Sequence, residues 1–354
     1  MIYFPYWRFK GMLFSCLSGG IRHKFLDVSR LAVPSALIPV SLGLRSQALK
    51  LRFVAPSVSG RFLKPAQSFN EVICEFQKQF ANSLPKPILH QCHIGESVSL
   101  VYSPFLMGER LVDAVINQPV GPHLTDDLAV DRLPGGKPDW RVDFVSALCP
   151  NCGWDLEGER DALVLFCRNC TTAWYPAGTR LTRLPLACLA DEHPQTLYLP
   201  FWRIQAQVDG VNLNSYADLV RLANLPRVAL KGWDNIPFYF WIAAVKIRPR
   251  VYLRLSSNMT LCQPQDNLLS PHLPKTRIYP TTMPIQEAVE SLKINLASFM
   301  KPSQELVDKL PQIQVTPQRF SLILIPFRQD HLDYIQPRYQ LAVNKNMLAL
   351  SKYL

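Results

Sequence analysis

The stretch CPNCGWDLEGERDALVLFCRNC, residues 149–170, decides how the rest of this chain is read. Cys149 and Cys152 are separated by two residues, as are Cys167 and Cys170, and fourteen residues lie between the pairs. Tetrahedral zinc takes four soft ligands, and two tight CxxC turns brought together by a hairpin can supply them. Such turns also aim backbone N–H groups at their sulfurs, which favours thiolates. CPNCGW and CRNCTTAW resemble each other, each with Asn before its second cysteine and a Trp after it (Trp154, Trp174). The run Glu157-Gly158-Glu159-Arg160-Asp161 reads as a polar turn, and residues 162–166 as an apolar strand returning from it.

At these residues the chain resembles a zinc ribbon, the rubredoxin-like module found in RNA polymerase subunits, ribosomal proteins and many enzymes. The resemblance covers about residues 148–174 and nothing else. Its middle spacing is one residue shorter than is usual for paired CxxC sites, a departure a tight hairpin can absorb. Two redox-active pairs, two disulfides or an iron site of rubredoxin type are the competing readings. Redox pairs follow a strand and open a helix, a context lacking here, so structural zinc is expected, with iron the lesser alternative. Four protein sulfurs close the coordination sphere, and no catalytic role is expected of the ion. Over residues 141–175 the acids Asp143, Asp155, Glu157, Glu159 and Asp161 outnumber Arg141, Arg160 and Arg168. Phosphates would repel such a tip, which makes Glu157 and Glu159 candidates for contact with a protein partner.

At 354 residues the chain is long enough for two or three domains. Its 30 prolines imply many turns and short elements rather than long helices. Of nine cysteines, Cys16, Cys74, Cys92, Cys188 and Cys262 are scattered singly, which suits a reducing compartment rather than a secreted disulfide framework. No run has the roughly 20 apolar residues of a bilayer span, and a cytoplasmic protein is the default expectation. The net charge of +11 is uneven. Residues 1–64 carry Arg8, Lys10, Arg22, Lys24, Arg30, Arg45, Lys50, Arg52, Arg61 and Lys64 against the single acid Asp27. Such an excess could attract an anionic partner.

An aromatic, proline-interrupted strand signature opens the chain as YFPYWRF (residues 3–9) and returns as YLPFWRI (198–204), with looser versions around Pro104 and Pro326. The order of features between these landmarks also repeats. After Pro5 come a basic strand-like region at 36–54, then an amphipathic helix over 68–82. Ser68 and Glu71 form a capping box there, and Phe69, Val72, Ile73, Phe76 and Phe80 form its stripe. After Pro200 come a basic strand-like region at 236–255 and a helix over 284–299. The fold class is therefore α+β: two diverged β-rich α+β repeats, 1–125 and 193–354, with the zinc ribbon and its connectors inserted at 126–192.

Strand alternation would place Lys246, Arg248, Arg250, Tyr252 and Arg254 on one face, with Lys50 and Arg52 as a shorter counterpart. Such faces could track an anionic partner, nucleic acid included. Trp7 and Trp202, each followed by Arg, occupy matching places and could anchor a protein contact, although core packing is the commoner use of such a pair. The run His90-Gln91-Cys92-His93 finds no further ligands at a convincing spacing and reads as a loop. There is no phosphate loop, GxSxG elbow or HExxH in the sequence, and no small-molecule substrate is suggested. The expectation is a non-catalytic binding or assembly protein engaging a macromolecular partner, with nucleic-acid binding as the alternative and an enzyme of unknown class third.

Overall fold

A computed structural model describes residues 1–35, 38–54, 57–82, 84–120, 134–136, 144–191, 193–300 and 308–353. The expected connectors at 121–133 and 137–138, the repeat boundary at 125 and Glu192 lie outside the described residues. Helices and several sheets are both present, so the architecture is mixed α and β. The chain divides into two compact units. One comprises Met1–Gly11, Leu26–Leu84 and Glu96–Val142, and the other Met12–Phe25, Pro85–Gly95 and Asp143–Leu354.

The first unit takes its strands from β1 (Ile2–Leu17), β2 (Gly20–Leu31), β3 (Arg61–Phe62), β4 (Ile88–Met107), β5 (Leu111–Asp113) and β6 (Gln118–Val120). Of these strands, residues 12–17, 20–25 and 88–95 belong to the second unit. Their order in the sheet is β2-β1-β4-β5-β6, with β3 parallel to β1. Ile2, Phe4 and Tyr6 alternate along β1 and share one core with Leu63, Phe105 and Leu111, the period-2 burial a half-covered strand requires. The chain passes between units within β1 after Gly11, within β2 after Phe25 and within β4 after Gly95. Gly95 takes φ +69°, a left-handed conformation that lets a strand bulge and that a side chain would strain.

Two expectations for this unit fare differently. Residues 36–54 do not form the expected strand; their described part is irregular apart from one turn, α1 (Arg45–Ala48). Local side-chain bonds replace a ladder there: Ser29 Oγ accepts from Leu42 N at 2.9 Å, and Gly43 turns the chain at φ +56°. The helix is present as α2 (Phe69–Asn82). Its box is formed, with Glu71 Oε2 accepting from Ser68 N at 2.6 Å and from Ser68 Oγ at 2.8 Å.

The second unit holds a three-stranded sheet, β7 (Leu165–Cys167), β8 (Thr172–Ala177) and β9 (Arg180–Leu184). Its larger sheet contains β10 (Leu186–Leu189), β11 (Thr196–Asp209), β12 (Phe240–Ala243), β13 (Leu269–Ser270), β14 (Arg277–Ile278), β15 (Gln314–Asp330), β16 (Asp333–Gln336) and β17 (Leu341–Asn344). β11 and β15 pair along their full length, β12 flanks β11, and β16 and β17 follow beyond β15.

Corresponding bonds occur in the two sheets. The carbonyls of Pro5 and Pro200 accept from Ala32 N and Ala244 N, both at 2.9 Å. Ala32 O accepts from Ala66 N and Gln67 N at 2.8 and 3.0 Å, and Ala244 O from Thr282 N and Met283 N at 3.0 and 3.1 Å. β3 lies parallel to β1 with Tyr3 opposite Phe62, as β14 lies parallel to β11 with Tyr198 opposite Ile278. Finally, Trp7 Nε1 donates to Gln67 O at 2.8 Å and Trp202 Nε1 to Met283 O at 2.9 Å. Each acceptor stands two residues before the helix that follows it.

Helix α3 (Tyr216–Leu222) opens on a reciprocal Ser215–Asp218 cap. The basic strand expected at 236–255 is corrected: only Phe240–Ala243 is strand, and α4 runs Pro249–Cys262 with proline in its first turn. The alternating cations masked a 3.6-residue period in Val251, Tyr252, Leu255, Ser256, Met259 and Thr260, all buried. Those hydroxyls have a purpose. Ser256 Oγ accepts from Ala243 N and Thr260 Oγ1 from Trp241 N, both at 3.0 Å, and Gln263 Oε1 accepts from Tyr239 N at 3.2 Å. Alternate N–H groups of an edge strand are about 6.6 Å apart and four residues of helix rise about 6 Å, so one helix face can cap a whole strand edge. The helix expected at 284–299 is present as α5 (Ile285–Glu290) and α6 (Leu292–Phe299), which meet at Ser291. Ser291 is itself right-handed at φ −78°, with Ser291 N bonded to Glu287 O at 3.1 Å and Asn295 N to Ser291 O at 2.8 Å. There Ser291 Oγ donates to Ala288 O at 2.7 Å and receives Tyr252 Oη at 2.9 Å.

Replacing Trp202 with Phe keeps the ring but strands the buried Met283 carbonyl. Chemical denaturation should show a loss of about 1–3 kcal/mol, and a smaller loss for Trp7→Phe, whose indole is only half buried. Equal, negligible costs would remove these bonds from any account of stability.

Candidate metal centre

The four sulfurs of Cys149, Cys152, Cys167 and Cys170 lie within 4.8 Å of one another. Cys149 and Cys170 are 3.5 Å apart and Cys152 and Cys167 3.4 Å, each knuckle facing the other. A tetrahedron with metal–sulfur bonds of about 2.3 Å has edges of about 3.8 Å. The quartet therefore fits a tetrahedral thiolate-bound ion, and no disulfide joins its members.

The knuckles close in the same way at unequal cost. The residue after each second cysteine is left-handed, Gly153 at φ +73° and Thr171 at φ +53°. Glycine adopts that region freely, whereas a β-branched residue is strained in it. Gly153 N bonds Cys149 O at 2.8 Å and Cys149 N bonds Trp154 O at 2.7 Å, completing the first turn.

Hydrogen bonds around the sulfurs prepare them as ligands. Burial opposes ionisation of Cys149, yet N–H donors from Asn151 and Cys152 and the Thr172 hydroxyl bring its thiol down to about 6. The Thr172 hydroxyl, 3.0 Å from Cys170 Sγ, also lowers Cys170. Cys167 is the opposite case, pushed up to about 12 chiefly by burial. Thr172 is aimed by Trp174, whose Nε1 donates to Thr172 Oγ1 at 2.9 Å. With its oxygen accepting from the indole, the one hydroxyl proton is left to point at sulfur. The two tryptophans of the sequence pattern thus part company, Trp174 buried and Trp154 60% exposed.

The hairpin is joined to the second unit's core. Val164, Phe166, Ala173 and Leu184 belong to the same apolar cluster as Leu197, Leu199 and Leu324, and Leu163 N bonds Thr281 O at 2.8 Å. Glu157 and Glu159 at the tip are paired inside the chain. Glu157 meets Arg168 at 2.8 Å; Glu159 meets Arg277 at 2.9 Å and Lys352 at 3.5 Å. Desolvation would raise Glu159, but Arg277 and Lys352 hold its carboxyl below the ordinary value. An open cleft of 280 Å³ lies among Glu157, Glu159, Phe166, Arg168 and Arg277.

The remaining sequence candidates do not converge on this centre. Arg248, Arg250 and Arg254 are exposed at the start of α4, Lys246 is half buried before it, and Arg254 donates to Ala342 O at 2.8 Å. The common sheet face expected of them is absent because the segment is helical. Lys50 and Arg52 are exposed in the irregular segment of the first unit. Trp202 is 2% exposed, a core residue rather than a surface anchor, and Arg203 beside it pairs with Asp266 and lies 4.5 Å from the Tyr239 ring centre. Residues 90–93, expected as a loop, belong to β4. Burial lowers His90 and His93 to about 4, with Lys293 assisting at His90, and an odd separation along a strand puts them on opposite faces. Thr172 and the partners of Glu157 and Glu159 were missed; a threonine two residues past the last cysteine and two before Trp174 was the available signal. Comparison with protein-family models, curated proteins and solved structures gave no match.

Two substitutions separate strain from ligation. Thr171→Gly should raise the melting temperature of the metal-loaded protein, corresponding to about 1–2 kcal/mol of relieved backbone strain. Thr172→Val should weaken metal affinity about 10-fold or more in a chelator competition while leaving the metal-loaded fold intact.

Proposed function

We propose that this chain is a non-catalytic binding or assembly protein that engages a protein partner. In this reading it comprises two diverged copies of one β-rich α+β unit, residues 1–125 and 193–354, with a zinc ribbon and its connectors at 126–192. The observation that carries it is the closed quartet of cysteine sulfurs. Four protein thiolates leave an ion no open position for water or substrate, so it acts through folding. Zinc fits such a quartet without redox chemistry, and iron is the alternative occupant.

Support for the duplication comes from the shared main-chain bonds at Pro5 and Pro200, Ala32 and Ala244, and from the two indole-to-carbonyl bonds. Support for a protein contact comes from the first knuckle, where Leu148 and Trp154 are exposed on either side of the buried Cys149. A rigidly mounted tryptophan is a common interface anchor. Glu157 and Glu159, being paired within the chain, are the weaker choice for that contact.

The test combines metal analysis with capture. Purified protein should hold about one zinc per chain, and Cys149→Ser should lower that content. A tagged chain should recover a defined protein after nuclease treatment, and Trp154→Ala should reduce the recovery without changing metal content. Recovery that vanishes with nuclease, or is indifferent to Trp154, would overturn the proposal.

A further inference from the structure

The first unit carries a surface feature that the metal centre does not explain. Leu44 is 74% and Phe53 88% exposed, and Leu49 and Leu51 are exposed between them. Lys50 and Arg52 alternate with these residues and are exposed as well. From residue 28 to residue 70 the chain contains Arg30, Arg45, Lys50, Arg52, Arg61 and Lys64 and not one acid. Large apolar side chains seldom gather at the surface of a monomer without a partner for them.

The segment is mounted on the unit rather than trailing from it. Ile38 and Leu42 are buried in the first unit's core, just before the exposed leucines. Arg45 reaches the fully buried carboxylate of Asp113 and also donates to Leu42 O at 3.1 Å. Gln47 Nε2 donates to Asp27 O at 2.9 Å. Asp113 Oδ1 in turn accepts from Val115 N at 3.0 Å, so one buried ion pair ties α1 to the β5–β6 turn. That turn exposes Val115 and Ile116. Two loops are thus fixed together, both offering aliphatic side chains, with cations on one of them.

We propose that this face of the first unit docks on the surface of an anionic phospholipid bilayer. The aliphatic groups would enter the boundary between headgroups and acyl chains, where burial of apolar area favours them. Lys50 and Arg52 would stay at the phosphate level, their stems alongside the leucines and their charges in the negative surface potential. Nucleic acid would engage the same cations but offers no apolar layer for the leucines. Protein interfaces are depleted in lysine at their core, whereas here Lys50 stands between Leu49 and Leu51. The charge and the apolar groups together fit a lipid surface better than either alternative.

The experiment is co-sedimentation of the full chain with phosphatidylcholine vesicles, with and without phosphatidylserine, at low and high salt. Partition is expected only with phosphatidylserine and should decline with salt. The variant L49S/L51S/F53S should lose most of it, and K50E/R52E should lose about 30-fold or more. All five positions are exposed, and unchanged melting of both variants should accompany the loss. Absence of partition at low salt would overturn the proposal, whatever the variants do. So would partition that L49S/L51S/F53S leaves intact. A self-associated form that the serine variant splits, without any vesicle binding, would assign the face to a second copy instead. Nucleic-acid binding lost only in K50E/R52E, with vesicle binding absent, would assign it to a phosphate backbone.

Discussion

The second unit gathers four cysteine sulfurs closer together than four thiolates would stay unaided. Thiolates about 3.5 Å apart repel each other by roughly 5 kcal/mol at an effective dielectric of 20. Without a cation the quartet must keep protons, and the surroundings divide the burden unevenly, Cys149 down at about 6 and Cys167 up at about 12. A divalent ion there would reverse that balance and let all four sulfurs ionise together. Leu184 ends β9, Pro185 O accepts from Leu322 N at 2.9 Å, and β10 begins at once beside β15. An ion held at the knuckles would therefore sit only a few residues of chain from a strand of the large sheet.

The large sheet has its own constraint, the edge of β12. An unpaired strand edge invites another chain, and here α4 supplies Ser256, Thr260 and Gln263 at helical spacing to occupy it. The result binds a helix to a strand by directional bonds as well as by apolar packing. It also accounts for polar residues in a helix face that is otherwise buried, which composition alone would count as unfavourable.

Local patterns in the sequence carried through where their physics was local. The CxxC pairs, the Ser68–Glu71 box and the strands around Pro5 and Pro200 need only near neighbours to be recognised. Residues 246–255 did not carry through, because alternating cations imitate a strand while the hydroxyls that fix the helix find their partners on β12. The pairing of Glu159 with Arg277 and Lys352 lies further still from any sequence window. What was illegible was decided by contacts between distant segments.

Charge makes the same point with consequences for recognition. Counting residues 1–64 suggests a strongly positive surface, yet Arg8 is held by Asp27 at 2.7 Å, Arg30 by Glu75 and Arg45 by the buried Asp113. Those cations are committed to the fold, and an exposed partner would feel only the others. In the hairpin Glu157 and Glu159 are committed likewise, so that neither count describes the field outside the molecule. Lys50 and Arg52 stand between the exposed side chains of Leu49, Leu51 and Phe53. A field that weak could not hold a polyanion by itself, since phosphate binding draws on many simultaneous contacts. It can, however, orient a surface whose apolar side chains supply the rest of the attraction, which is why charge and hydrophobicity have to be read there as one feature.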